Sequence, residues 1–149
     1  MNEAGRWVVD ASIAAKWYLR DEDHVAPALA LLRSYQHGNT ALAAPHFIRY
    51  EIARSLLRAE QERRINEGQA ASQLQRFLDL DLHMPDDPDT RLLAAQVLCR
   101  SLRVGFYDAL YLALAEESGF RFVTADAELH RRVRERLPYV AWIGDLPPS

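Results

Sequence analysis

Short apolar runs separated by helical patterns, with no two-residue hairpin signal anywhere, constrain this chain more than any other feature. Trp7-Val8-Val9, Thr40 to Ala44, Phe120 to Thr124 and Tyr139 to Ile143 each read as a buried strand, with Leu80 to Met84 as a short additional one. Strands without polar alternation are buried on both faces, and strands joined through helices run parallel. Helices follow from apolar residues recurring three and four apart. They are expected over Ala11 to Leu19, His24 to Gln36, Gly68 to Asp79, Asp89 to Leu102, Tyr107 to Ser118 and Asp126 to Leu137. A further helix runs through Glu51 to about Glu62, with Pro45 placed for its first turn. The fold class is α/β, a parallel sheet covered by helices. No repeat, low-complexity tract or Gly/Ser linker interrupts the chain, so 1–149 is expected to be a single domain.

Composition narrows the function classes. A chain of 149 residues can bury one sizeable core, and 49% apolar with 26% charged residues is the balance of a globular protein. A single cysteine, Cys99, excludes a disulfide framework or a zinc site built on several thiolates. The longest unbroken apolar run, Ala109 to Ala115, is far short of a membrane span. Glu3 and Asp10 without a basic leader argue against a secretory signal, so a soluble cytoplasmic protein is expected. The net charge of −3 argues against a general nucleic-acid binder. Yet Lys16 is the one lysine among 18 basic residues, and the arginine fork suits phosphate. Biased codon usage explains the arginine excess equally well. Gathering four acids in one metal site would leave a surface that is no longer acidic.

Four acids stand out by context. Asp10 closes the first strand and Asp126 follows Phe122-Val123-Thr124. Ligands of parallel sheets bind beyond the carboxyl ends of strands. Glu51 lies among Phe47, Ile48 and Ile52, and Asp108 opens a helix that is apolar nearly all round and therefore central. An unpaired carboxylate in such surroundings is costly unless protonated, paired or metal-bound. Each also has an innocent explanation. Asp10, Asp108 and Asp126 sit where helices begin, where an acid caps free N–H groups and complements the helix dipole. Mid-helix burial of Glu51 would instead call for a salt bridge to an arginine. Converging carboxylates hold Mg²⁺ or Mn²⁺, and such sites support attack of activated water at phosphorus.

Other chemistries fail on detail. A phosphotransfer aspartate of the haloacid-dehalogenase kind needs a second Asp two residues after Asp10, where Ser12 stands. A response-regulator receiver needs a late lysine, and the chain has only Lys16. There is no Gly-rich phosphate loop and no discernible Ser-His-Asp arrangement. His24, His37, His46, His83 and His130 are scattered and read as surface or satisfied core residues.

Four segments then carry a resemblance. Val8-Val9-Asp10-Ala11-Ser12 with Lys16-Trp17, Glu51-Ile52-Ala53 before Leu56-Leu57, Tyr107 through Glu117, and Thr124-Ala125-Asp126 occur in order over nearly the whole chain. In these the sequence resembles the PIN domain family, and within it the virulence-associated (VapC-like) toxin ribonucleases. The resemblance implies a three-layer α/β/α domain with a central parallel sheet of four or five strands. It implies that Asp10, Glu51, Asp108 and Asp126 surround Mg²⁺ or Mn²⁺, with Asp126 completing the cluster by holding a second ion or orienting water. Ser12 and Thr124 look like the flanking hydroxyls that position a carboxylate or water, although capping or strand-end bonding explains them as well. Glu128 is left outside the site, and Glu22, which matches an acid common in relatives, reads as a solvated loop acid. The implied function is a Mg-dependent endoribonuclease, the toxin of a toxin–antitoxin pair. It would act on RNA, form a homodimer and be blocked by a small protein antitoxin. Trp17, Tyr18, Leu56 and Leu57 are candidates for the antitoxin surface, with a core role expected for at least two of them. The alternatives are a non-catalytic RNA-binding or scaffold module and a metal-dependent nuclease acting on DNA.

Overall fold

The computed structural model describes residues 5–149; Glu3, used above against a leader sequence, lies outside them. Strands β1 (Arg6–Val9), β2 (Ala41–Ala43), β3 (Arg121–Thr124) and β4 (Val140–Trp142) form one sheet in the order β2-β1-β3-β4. All three pairings are parallel, with Val8 opposite Ala43 and Phe122, and Thr124 opposite Trp142. Successive strand residues point to opposite faces. Val8 and Val9, like Phe122 and Val123, are all fully buried, so helices cover both faces. This is the expected three-layer α/β architecture.

The helices are α1 (Ala11–Ala15), α2 (Val25–Gln36), α3 (Ile48–Gln61), α4 (Gln69–Asp79), α5 (Asp89–Leu102), α6 (Phe106–Ser118) and α7 (Ala127–Val133). Helix α6 packs on β1, β3 and α5, and every residue from Ala109 to Ala115 is buried, which explains its apolar character on all sides. Gly119 ends it in the left-handed conformation that an L side chain adopts only at a cost. Among the described residues no helix is long and apolar enough to cross a membrane.

Several expected boundaries move. Helix α1 stops at Ala15 because Lys16, Trp17 and Tyr18 donate to carbonyls three residues back, tightening the chain into turns. Pro45 precedes α3 by a turn of the same kind, in which Ile48 donates to Pro45 and Arg49 to His46. Helix α7 likewise ends at Val133, short of Leu137. Leu80 to Met84 adds no fifth strand. Asp81 has a positive φ of 54°, and His83 makes only an isolated parallel bridge to Ala43 at the edge of the sheet.

Of the four candidates for the antitoxin surface, at least two are expected in the core, and three lie there. Trp17, Tyr18 and Leu56 belong to the core. Trp17 donates its indole N–H to the Ala28 carbonyl at 2.9 Å and packs against Phe77. Only Leu57 is exposed. Glu22 is not a free loop acid either. It accepts from Lys16 at 3.3 Å and from Arg64 at 3.1 Å, tying the segment after α1 to the end of α3.

Candidate active site

The strand order reverses direction at β1, since the chain leaves β1 for β2 on one side and later returns to β3 on the other. A crevice therefore opens beyond the carboxyl ends of β1 and β3. Asp10 is the first residue after β1, and Thr124 is the last of β3.

Asp10 is almost entirely buried and fully engaged. Its Oδ1 accepts from the Ser12 hydroxyl at 2.5 Å and from the Ile13 backbone N–H at 3.1 Å, capping α1. Its Oδ2 accepts from the Thr124 hydroxyl at 2.5 Å. Each hydroxyl in turn accepts a backbone N–H from the loop after β3: Ala125 donates to Ser12 at 3.0 Å, and Asp126 to Thr124 at 3.0 Å. One carboxylate and two hydroxyls thus lock the ends of both central strands together. Burial pushes the Asp10 carboxyl up to about 6 despite these donors, with added repulsion from Asp108.

Glu51 is half-buried in the first turn of α3 rather than in mid-helix, and its partner is not an arginine. Its Oε1 accepts from the Tyr111 hydroxyl at 2.6 Å. Burial raises its pKa, the tyrosine bond opposes that, and Asp108 repels it further. Asp108, also half-buried, lies in the first turn of α6; its pKa is raised by burial and then by repulsion from Asp126. Asp126 is exposed and caps α7, its Oδ1 accepting from the N–H groups of Glu128 and Leu129, both at 3.1 Å. The innocent explanation, capping, is thus literally true of Asp10 and Asp126. It does not account for Asp108 or Glu51.

Repulsion links the set: Asp108 acts on Asp10 and Glu51, and Asp126 acts on Asp108. Among the described residues none of the four makes a salt bridge. Nor do any three acids, histidines or cysteines there stand close enough to be a finished metal cage. The donor chemistry still fits a hard divalent cation. The set offers oxygen atoms only, holds Asp10 out of water and Glu51 and Asp108 partly so, and among the described residues has no salt-bridge cation to balance it. Glu128 points elsewhere, pairing at 3.3 Å with Arg132.

Tyr111 is the site residue that sequence reasoning passed over. Its signal was available: a tyrosine one turn after Asp108 on a helix buried all round must find a partner for its hydroxyl. Burial and the carboxylates of Glu51 and Asp10 hold that hydroxyl firmly protonated. It is therefore a permanent donor.

Comparison with known proteins places the fold in a family. The family profile described as PIN domain matches residues 7–135. Among curated proteins none matches the chain. Among solved structures, PAE2754 from Pyrobaculum aerophilum is similar at 26% identity and a TM-score of 0.68, over 95% of this chain and 85% of that one. VapBC2 from Rickettsia felis, bound to a DNA fragment from its promoter, aligns at 17% identity and a TM-score of 0.63, over 92% of this chain and 96% of that one. A toxin–antitoxin complex from Klebsiella pneumoniae aligns at 12% identity and a TM-score of 0.60, over 95% and 97%.

Proposed function

The chain belongs to the PIN domain family, and on that premise we propose that it is a metal-dependent endoribonuclease, the toxin half of a toxin–antitoxin pair. The observation that carries this reading is the set of acids near the ends of β1 and β3: buried Asp10 and half-buried Glu51, each repelled by half-buried Asp108, with none of the three in a salt bridge among the described residues. Asp10, Glu51 and Asp108 would hold Mg²⁺ or Mn²⁺, with Asp126 completing the set. A divalent cation there supplies Lewis-acid activation of water and neutralises charge developing at phosphorus.

The protein's own part is preorganisation. Ser12, Thr124 and the Ile13 N–H fix both oxygens of Asp10, and Tyr111 fixes one oxygen of Glu51, so these donors do not reorganise when a strand binds. The toxin reading follows the two structural relatives whose descriptions name a toxin–antitoxin complex or VapBC2. The partners are an antitoxin and a second copy. The exposed Leu57 on α3, together with Leu93 and Val97 one turn apart on α5, supplies apolar surface for them.

The test is cleavage of a generic RNA by purified protein with Mg²⁺ or Mn²⁺, and its loss with chelator. Cleavage restricted to DNA would move the reading to a DNA nuclease. Metal-independent binding of RNA without any cleavage would leave a non-catalytic module.

A further inference from the structure

Beside the acidic cluster stand exposed aromatic rings that the hydrolytic reading does not use. Tyr50 is 67% exposed and Tyr107 63% exposed, each next in sequence to a candidate site acid, Glu51 and Asp108. Large rings left in water need a reason, and these two are held in place by the turn that precedes α3. His46 packs edge-on against Tyr50 with centroids 6.3 Å apart, and Phe47 packs edge-on against Tyr107 at 5.1 Å. Phe47 also contacts Tyr111 at 5.2 Å, and Tyr111 holds Glu51. The ring of Tyr107 is therefore coupled through one phenylalanine to the residue that orients a site carboxylate. Phe106 extends the aromatic surface, 39% exposed and 6.0 Å from Tyr107.

The surrounding charge suits a phosphate chain. Arg49 lies next to Tyr50 in sequence, and Arg54 is one helical turn beyond it on the same edge of α3. Among the described residues neither pairs with a carboxylate; Arg49 instead donates to His46 Nε2 at 2.5 Å. Rings for bases and arginines not paired with carboxylates for phosphates are the two components of a single-strand binding surface. An aliphatic partner surface would not need the arginines.

Resting on the nuclease reading, we propose that Tyr107 and Tyr50 are positioning residues on which unpaired bases of the RNA strand stack, so that the phosphate between them lies over the acidic cluster. In a duplex the bases are already stacked and their faces are closed to these rings.

The test measures binding with chelator present, so that cleavage does not intervene. The probes are a short single-stranded RNA carrying 2-aminopurine, the same strand with central abasic positions, and its duplex. Tyr107→Leu and Tyr50→Leu should each weaken single-strand binding roughly tenfold to a hundredfold, and lose the 2-aminopurine quenching. Tyr107→Phe, which keeps the ring, should retain both. On the abasic strand and the duplex the Leu variants should bind as wild type does. Equal single-strand affinity for wild type and both Leu variants, the result expected if the rings serve a protein partner, overturns the proposal; so does an equal loss on the abasic strand. Cleavage by wild type is scored separately. An inactive protein that still shows ring-dependent stacking defeats the nuclease reading and leaves the stacking intact. An active one without such stacking does the reverse.

Discussion

Asp10 concentrates the chemistry of this protein in one side chain. It caps a helix, receives two hydroxyls that tie β3 to β1, and carries a charge that burial opposes. Because the folded chain holds the Asp10 proton up to about pH 6 while the unfolded chain releases it near pH 4, the folded state binds more protons in between. Stability of the metal-free protein should therefore fall as the pH rises through that window, by about 2 kcal/mol from this group between pH 4.5 and pH 7. Denaturation at pH 4.5 and pH 7 in chelator, compared between wild type and Asp10→Asn, isolates the effect, and a slope as steep in the variant refutes it. The same substitution should cut metal-dependent RNA cleavage at least ~100-fold. A near-wild-type rate in Asp10→Asn, free of contaminating nuclease, removes Asp10 from the site. At this scale the sequence was readable where strand-end position carries meaning, as at Asp10 and Thr124. It was not readable for the partner of Glu51, because Tyr111 lies 60 residues away and only the tertiary fold, which sets Tyr111 against Phe47 and Glu51, brings the two together.

Elements were legible where apolar periodicity is long and obscure where local hydrogen bonding decides. The 14-residue α5 and α6, buried from Ala109 to Ala115, fall where their patterns place them. The ends of α1 and α7 do not, because a tightened final turn leaves no mark in hydrophobic spacing. Leu80 to Met84 reads as a strand, yet its backbone has only the edge of β2 to pair with and takes a single bridge. The junction of α5 and α6 holds a buried arginine that hydrophobic pattern cannot forecast. Arg91 donates from Nε to Glu117 at 2.6 Å, from Nη1 to Asp87 at 3.0 Å, and to the Asp86 carbonyl at 3.2 Å. Its side chain is 7% exposed, whereas Glu117 is 44% exposed, so water screens one end of the network. Replacing Arg91 by Met keeps much of the packing but strands Asp87 and the Asp86 carbonyl, and should cost about 2–4 kcal/mol. Urea melts should show a lower midpoint at unchanged slope. A loss below ~0.5 kcal/mol would mean the network merely replaces hydration that both states enjoy.

Across the whole molecule, the order β2-β1-β3-β4 brings scattered acids toward one end of the sheet, where they form a candidate site. Two strands adjacent in space but far apart in sequence place Asp10 and Asp126 at the same end of the sheet, and α3 and α6 bring Glu51 and Asp108 within electrostatic reach. Such a site is a liability until a cation fills it, because like charges held out of water repel. Asp126 offers the cleanest probe, since its two roles separate. As the cap of α7 it accepts two backbone N–H groups through one oxygen, and asparagine caps a helix about as well as aspartate. As a charge it repels Asp108. Asp126→Asn should accordingly preserve α7 and melt at or slightly above wild type in chelator, against the usual tendency of substitutions to destabilise. Saturating Mg²⁺ or Mn²⁺, at about 100 times the dissociation constant, should stabilise wild type by ~2.7 kcal/mol. For a domain of this size that is roughly 5–10 °C in Tm. The variant should gain distinctly less. Four melting curves decide it, wild type and Asp126→Asn, each with chelator and with metal. If both proteins respond to metal equally, Asp126 is a helix cap and nothing more, and the cation belongs to Asp10, Glu51 and Asp108 alone.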